Sequence, residues 1–529
     1  MNPLDRRSFL TLAGMATAAS LAHPLELFGQ AQVDVEEMTI AAMQDGMRSG
    51  TLTARRLTEL YLVRIAAMDK RGPAVNAIIE LNPDALSIAD SLDAERKAGR
   101  VRGPMHGIPI VIKDNIDTAD RMHTTAGSLA LADSIASRDA HVVKRLREAG
   151  AVILGKTNLS EWANFRSTHG TSGWSARGGL TRNPYALNRN ACGSSTGTGA
   201  AIAASFAAVG VGTETDGSVV CPSATNGLVG LKPTVGLISR SGIIPISHTQ
   251  DTAGPMARTV TDTAILLGAM TGIDSLDAIT ATSRSHVSAD YTQFLDANGL
   301  RGARIGVARG SFGFNDAVDR VMTDSIEAIR NLGATIVDPA NLETQGKFDQ
   351  SEFEVLLYEF KAGLNAYLAG LSPNVTSRTL ADLMKFNEEH RELEMPYFGQ
   401  EIFAMAEKKG PLTDADYKKA LAKNNRLARA EGIDATMKKH KLDAVIAPTG
   451  GPAWTTDLIN GDHYTGGYSS ASAVAGYPHI TVPAGNVAGL PVGISFFAGA
   501  WSEGVLLKYA FAFEQATKAR KAPQFLASV

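Results

Sequence analysis

The 529-residue sequence has few cysteines and almost no net charge. Cys192 and Cys221 are too few for a disulfide framework. We expect both to act as small apolar packing residues rather than to form a bridge, and the sequence leaves open whether they are close in space. Lysine and arginine total 51 against 54 acidic residues, a net charge of −3. This balance offers no electrostatic support for binding nucleic acid or an anionic membrane.

The sequence also lacks the usual signals of a bound metal. Its 11 histidines are scattered without an H-E-x-x-H pattern, and the run 389–392 (EHRE) is more typical of a solvated helix face than of a metal site. We therefore expect no metal, no organic cofactor and no obligate protein partner.

Charge is missing from one stretch near the N-terminus. Residues 6–7 (RR) precede a run, 8–25, without Asp, Glu, Lys or Arg, which includes the small-x-small pattern at 20–22 (SLA). The arrangement resembles a twin-arginine export signal. It predicts a signal peptide over 1–22 and a periplasmic mature protein, with a plain N-terminal tail as the alternative. The run is too short and too rich in alanine to predict a membrane span, and we expect no stable membrane association.

The sequence as a whole has an ordinary globular composition, with 44% hydrophobic and 20% charged residues. Short apolar runs, such as 108–112 and 304–308, alternate with helical patterns, such as 318–332. This alternation predicts an α/β fold. We predict a single domain over 34–529, built on a large twisted mixed β-sheet covered by helices on both faces. Within it, a variable segment of about 340–441 is predicted to be mostly helical.

Two loops rich in glycine, serine and threonine organise the sequence. The first is 191–199 (ACGSSTGTG), and the second is 212–218 (GTETDGS). Between them, 200–208 is rich in alanine and predicts a helix that packs tightly, followed by a short buried strand. Glycine-rich loops at the ends of such elements allow backbone N–H groups to approach a ligand closely.

These loops admit several interpretations. Residues 193–197 fit the G-x-S-x-G nucleophile elbow, which would make Ser195 the nucleophile, but the preceding residues 188–191 are too polar for the buried strand that this motif needs. No lysine follows either loop at the spacing of a phosphate-binding loop. Two glycine-rich turns without chemistry would leave the spacing of the loops unexplained.

With their spacing, the loops resemble those of the amidase signature family. The resemblance implies that Ser218 is the nucleophile, that Ser194 is a bridging serine in a cis peptide, and that Lys113 in 107–115 (GIPIVIKDN) is the base. The backbone N–H groups of residues 215–218, which are Thr215, Asp216, Gly217 and Ser218, would then stabilise an oxyanion. The runs 178–185 (GGLTRNPY) and 214–218 (ETDGS) are similar to those of the bacterial peptide amidase subgroup.

The resemblance implies a serine amidase that converts the C-terminal carboxamide of a peptide to a carboxylate and ammonia through an acyl-enzyme. Lys113 ends an apolar strand, where burial would favour its neutral form; the alternative is a surface lysine paired with Asp114 or Asp117. Two features depart from the wider family: Asp216-Gly217 replaces Gly-Gly, and no arginine follows Ser218. A broad aliphatic or aryl amidase, or a catalytically silent binding protein on the same fold, are the alternative functions.

Overall fold

An eleven-stranded mixed sheet runs through residues 33–529, the part of the chain that the computed structural model describes. The predicted signal peptide, 1–22, lies outside these residues. Residues Glu37–Val529 form one compact unit. The sheet is flanked by helices, which confirms the predicted α/β fold.

The strands follow one another along the chain at these positions: β1 (Ile78–Leu81), β2 (Pro109–Lys113), β3 (Val152–Thr157), β4 (Trp174–Ser175), β5 (Gly179–Leu180), β6 (Val209–Glu214), β7 (Val229–Lys232), β8 (Thr252–Ala257), β9 (Arg304–Val307), β10 (Thr335–Val337), β11 (Ala444–Pro448), β12 (His479–Val487) and β13 (Leu490–Phe497). The large sheet has the order β1-β3-β2-β6-β8-β7-β12-β13-β11-β9-β10, and β4 and β5 form a separate pair.

The α-helices of the described residues are α1 (Ile40–Ser49), α2 (Ala54–Met68), α3 (Ala85–Lys97), α4 (His141–Glu148), α5 (Thr196–Ala203), α6 (Val220–Thr225), α7 (Val260–Met270), α8 (Asp316–Asn331), α9 (Asp349–Ala369), α10 (Leu380–Glu389), α11 (Arg391–Glu394), α12 (Glu401–Glu407), α13 (Ala415–Asn425), α14 (Asp434–His440), α15 (Ser470–Ala475) and α16 (Glu503–Thr517). A π-helical stretch, Arg426–Ile433, joins α13 to α14.

Strand direction changes across the sheet. The trios β3-β2-β6 and β11-β9-β10 are parallel, whereas the strands between them, from β6 through β11, pair antiparallel. Because β2 and β6 are parallel neighbours, their carboxyl ends lie at the same edge of the sheet. This places Lys113, at the end of β2, beside the start of the second glycine-rich loop.

Two loops in the sequence flank helix α5, which is built from small residues. All eight residues of α5 are buried. A Cβ on Gly197 would lie 2.4 Å from the Asn158 carbonyl oxygen and 2.5 Å from that of Ala77. Only glycine permits this approach, which seats the helix against the sheet. The helix was predicted over 200–208, but it begins earlier, at Thr196 inside the first loop, and ends at Ala203.

Strand β8 was not predicted, because its sequence TAGPMA contains glycine and proline. Proline lacks the N–H that a central strand normally donates. Here β8 pairs with β7 only through Met256 and Ala257, so Pro255 needs no donor on that side. On the other side Pro255 pairs in register with Val211 of β6.

Residues 150–157 (GAVILGKT) have the spacing of a phosphate-binding loop but do not form one. Most of them make up β3, and Lys156 is fully buried. Its Nζ donates to the Ile116 carbonyl at 2.6 Å and to Thr124 Oγ1 at 2.9 Å. The lysine is therefore a structural residue of the sheet.

The segment of about 340–441 contains helices α9 to α14. Helix α9 buries Leu356, Phe360 and Leu364 in a cluster that also includes Trp162 and Phe165. The segment thereby packs against the region that follows β3. No helix within 33–529 has the length and apolar character needed to cross a bilayer.

Candidate active site

Lys113, the last residue of β2, lies in a polar pocket at the carboxyl ends of β2 and β6. Its Nζ donates to the Thr213 carbonyl at 3.3 Å and lies 2.9 Å from Thr213 Oγ1. A third partner is Ser194 Oγ, at 2.8 Å. The side chain is fully buried. The alternative of a surface lysine paired with Asp114 or Asp117 is therefore wrong.

Burial lowers the pKa of Lys113 from its ordinary value near 10.5 to about 7. The negative charges of Asp251 and Glu214 oppose this shift because they favour the ammonium form. A group whose pKa lies near neutrality can both accept and return a proton during a reaction. The pocket therefore gives Lys113 the properties of a general base.

Ser194 lies between this lysine and the second loop. Its peptide bond with Gly193 is cis, the geometry that the resemblance implies. Ser194 is fully buried, and its carbonyl accepts a hydrogen bond from the Ser160 N–H at 3.1 Å.

Ser195, the neighbour of Ser194, is occupied by structural bonds. Its Oγ donates to the Thr213 carbonyl at 3.0 Å and accepts from the Thr213 N–H at 3.1 Å. It is also fully buried. A hydroxyl with these bonds cannot face a substrate, which argues against the nucleophile elbow.

Ser218 lies at the end of the second loop and is 8% exposed. Its carbonyl accepts from the Ser195 N–H at 3.2 Å, a bond that joins the two loops. Its Oγ takes part in none of the hydrogen bonds described for residues 33–529. The hydroxyl thus remains available to a ligand, as a nucleophile must.

The backbone of the second loop carries unused donors. Gly217 has a φ of 77°, a conformation that favours glycine. No hydrogen bond described for the chain beyond residue 32 uses a backbone N–H of residues 215–218. By contrast, the next two N–H groups, of Val219 and Val220, donate to Glu214 Oε2 at 2.7 and 3.0 Å. The loop therefore has the form of an oxyanion site, and the role of its donors stays a prediction.

A cavity of about 280 Å³ opens beside the two loops. Gly193, Asp216 and Gly217 line one wall, and Trp454 and Tyr464 line another. These two aromatic rings meet edge to face with centroids 5.6 Å apart. The cavity is thus lined both by polar groups of the second loop and by aromatic side chains.

Cys192 and Cys221 form a disulfide bond, so the expectation that both are free packing residues is wrong. Cys192 lies two residues before Ser194, and Cys221 lies three residues after Ser218. Once the two loops meet, the Cα atoms are 6.0 Å apart, within reach of a disulfide. Both cysteines line the cavity, and they pack with Trp454.

Sequence reasoning missed the residues that support the lysine. Asn115 Nδ2 donates to Thr213 Oγ1 at 3.0 Å, and Thr213 in turn contacts Lys113. Both residues lie inside the runs that carried the prediction, 107–115 and 212–218. Both runs were recognised in the sequence, but nothing in it indicates that they contact each other through the side chains of Asn115 and Thr213.

The described residues contain no cluster of three or more histidine, cysteine, aspartate or glutamate side chains arranged to hold a metal ion. The polar groups that meet at this site are the Lys113 amine, serine hydroxyls and backbone amides. Such a set is typical of enzymes that transfer an acyl group through a serine.

Comparison with known proteins identifies amidases. The family model described as Amidase matches residues 56–507. The native peptide amidase of Stenotrophomonas maltophilia is 50% identical with a TM-score of 0.88, and a peptide amidase in complex with the competitive inhibitor chymostatin is 51% identical with a TM-score of 0.90; each comparison covers 92% of this chain and 99% of the other. A probable amidase of Arabidopsis thaliana is 43% identical over 93% of this chain and 92% of its own length.

The chain belongs to the amidase family. It is a hydrolase that acts on amide bonds, and its structure closely resembles that of peptide amidase.

Proposed function

We propose that this protein hydrolyses the C-terminal carboxamide of peptides to a carboxylate and ammonia, through an acyl-enzyme on Ser218. The observation that carries the proposal is the fully buried Lys113, whose Nζ lies 2.8 Å from Ser194 Oγ. The second serine loop, with Ser218, is joined to the first by a backbone hydrogen bond.

The proton path follows from these positions. Neutral Lys113 accepts a proton from Ser194, and Ser194 accepts one from Ser218 as the Ser218 oxygen attacks the carboxamide carbon. In the free enzyme Ser218 Oγ lacks a hydrogen bond to Ser194, and substrate binding would tighten this contact. The same chain of hydroxyls returns a proton to the departing ammonia, and water then releases the peptide carboxylate.

The negative charge on the carbonyl oxygen needs donors that are already in place. The unused N–H groups of residues 215–218 supply them without reorganisation, and one such donor contributes about 10²–10³ in rate. Of these four residues, Asp216 and Gly217 line the cavity, where the scissile carbonyl would enter. This is the role that we propose for Thr215, Asp216, Gly217 and Ser218.

A neutral peptide terminus suits the cavity better than an anionic one. The residues after Ser218 are Val219, Val220 and Cys221, and none of them provides a positive charge for a substrate carboxylate. The two similar solved structures are of peptide amidases, and chymostatin is a competitive inhibitor of one of them. We therefore place a peptide carboxamide ahead of simple aliphatic and aryl amides.

A serine-directed phosphonate tests the mechanism. We expect stoichiometric labelling that peptide mapping assigns to Ser218, and no labelling of S218A. The matched control is S195A, which should label like the wild type because Ser195 faces Thr213. Labelling at Ser195, or none at all, would contradict the proposal and would favour the elbow or the catalytically silent alternative.

A further inference from the structure

Two acidic side chains meet behind the second serine loop. Asp216 Oδ2 accepts a hydrogen bond from Ser470 Oγ at 2.6 Å. Its Oδ1 is buried without a well-formed hydrogen bond among the described residues, and the Ser469 hydroxyl lies close to the same carboxyl. A carboxylate oxygen in this state is costly unless a proton is shared with it.

The partner of Asp216 is Glu352, on helix α9. The Glu352 carboxyl lies beside the Asp216 side chain and is only 7% exposed. Gln250 forms hydrogen bonds to both helix α9 and the second loop. Its Nε2 donates to Glu352 Oε1 at 2.9 Å and to the Thr215 carbonyl at 3.3 Å.

Two buried carboxyl groups in contact cannot both be ionised at low cost. Burial raises the pKa of Asp216, and burial together with the charge of Asp216 raises the pKa of Glu352 well above its usual range. The other titratable groups that face the pair are Asp349, also on α9, Glu214, at the end of β6, Tyr464, in the cavity wall, and Lys232, on β7. Lys232 is the sole positive group among them, and burial lowers its own pKa to about 8.

We propose that Glu352 is a positioning residue for the amidase reaction, because a proton shared with Asp216 holds the backbone N–H groups of residues 216–218 in place. This inference rests on the proposed oxyanion role of that loop. It assigns a function to the helical segment of about 340–441, because Glu352 on α9 holds the second loop in position. Glu352 acts through Asp216 and does not touch the substrate.

The shared proton predicts a second pH limit. When it is lost, the two carboxylates repel each other, and the loop moves out of position. Wild-type kcat should therefore fall on the alkaline side of its plateau. A glutamine at position 352 can donate its N–H to Asp216 Oδ1 permanently and still accept from Gln250.

The test compares E352Q and E352A with the wild type, measuring kcat and KM for a peptide amide from acid to alkaline pH. We expect E352Q to keep the neutral kcat within about threefold and to lose the alkaline fall. E352A should lose kcat about 10–100-fold at all pH values, with a smaller change in KM, as one oxyanion donor is worth about 10²–10³. The control E354Q, on the same helix but paired with Lys409, should match the wild type.

An alkaline limb that is identical in wild type and E352Q, or absent from the wild type, would overturn the inference. If E352A does not fold, the E352Q profile alone decides. The rate of phosphonate labelling at Ser218, measured over the same pH range, gives a second readout. It should fall at alkaline pH in the wild type, as kcat does, and should not fall in E352Q. Failure of the proposed function would look different, because the wild type would then neither label at Ser218 nor turn over the peptide amide.

Discussion

Lys113 Nζ and Ser194 Oγ lie 2.8 Å apart, and both residues are fully buried. A lysine is a poor base while it is protonated, and this contact becomes useful only when the amine is neutral. Burial removes the water that would otherwise stabilise the ammonium. Under the proposed mechanism, this pair sets the acid limit of activity.

The first prediction concerns that limit. Because burial lowers the pKa of Lys113 to about 7, the fraction of neutral amine rises as the pH passes through about 7, and kcat should rise with it. Below that value the lysine is protonated and activity should fall. Initial rates on a peptide amide in overlapping buffers measure this limb. K113A should lose kcat by about 10²–10⁴-fold and should lack the limb; an unchanged acid limb in K113A would exclude Lys113 as its source.

The second prediction separates the three serines. S218A should have no measurable turnover, and S194A should lose several orders of magnitude in kcat. S195A should keep its turnover to within about tenfold, at some cost in stability, because its hydroxyl bonds only to Thr213. The S194A/K113A double variant should be little worse than either single one, since residues that act as a unit are not additive. An S195A enzyme as inactive as S218A would contradict this assignment.

The sequence predicts those residues of the site that lie within a recognisable local run. It does not predict the residues that join the site only because distant segments meet in the fold. Lys113, Ser194 and Ser218 each belong to a run with a recognisable pattern. Glu352 lies in a helix whose sequence gives no sign of contact with the second loop. Its neighbour Glu354 has the same chemistry but pairs with Lys409. Only the folded packing of α9 distinguishes the two glutamates.

The fold also contains features that follow from local sequence and features that depend on contacts between distant segments. Helix α2 begins after Thr53, whose side chain accepts from the Arg56 N–H, and α1 ends at Gly50 with a φ of 77°. Both boundaries follow from local capping chemistry. Strand β8 forms instead because it pairs with β6 and β7, although the glycine and proline in its sequence disfavour a strand. The disulfide also depends on the meeting of two loops and has no local signal.

The third prediction concerns the disulfide. The bridge between Cys192 and Cys221 spans 29 positions of sequence and joins the two loops. We expect no free thiol in unreduced, denatured protein by Ellman titration, and two after reduction. Reductant should lower the wild-type stability by about 2–4 kcal/mol and should not change that of C192S/C221S. Two titratable thiols before reduction would show that the bridge does not form.

The fourth prediction concerns location, which we propose to be outside the cytoplasm. Residues 6–7 precede an uncharged run, and structural disulfides are uncommon in reducing compartments. Replacing Arg6 and Arg7 by lysine should leave the full-length chain in the cytoplasm, whereas the native protein should begin near His23 in the exported fraction. The control changes Arg48, an exposed arginine of α1, and should not alter export. N-terminal sequencing that finds Met1 in native protein from the cytosol would contradict the proposal.

The proposed substrate of this enzyme is a C-terminal carboxamide. The most direct measurement uses one peptide with a C-terminal amide, an internal glutamine and several peptide bonds, followed by mass spectrometry with and without enzyme. We predict a gain of about one mass unit, because –OH replaces –NH₂. Fragmentation should locate the gain at the last residue, and S218A should leave the peptide unchanged. A gain at the glutamine, or cleavage into shorter peptides, would contradict the account.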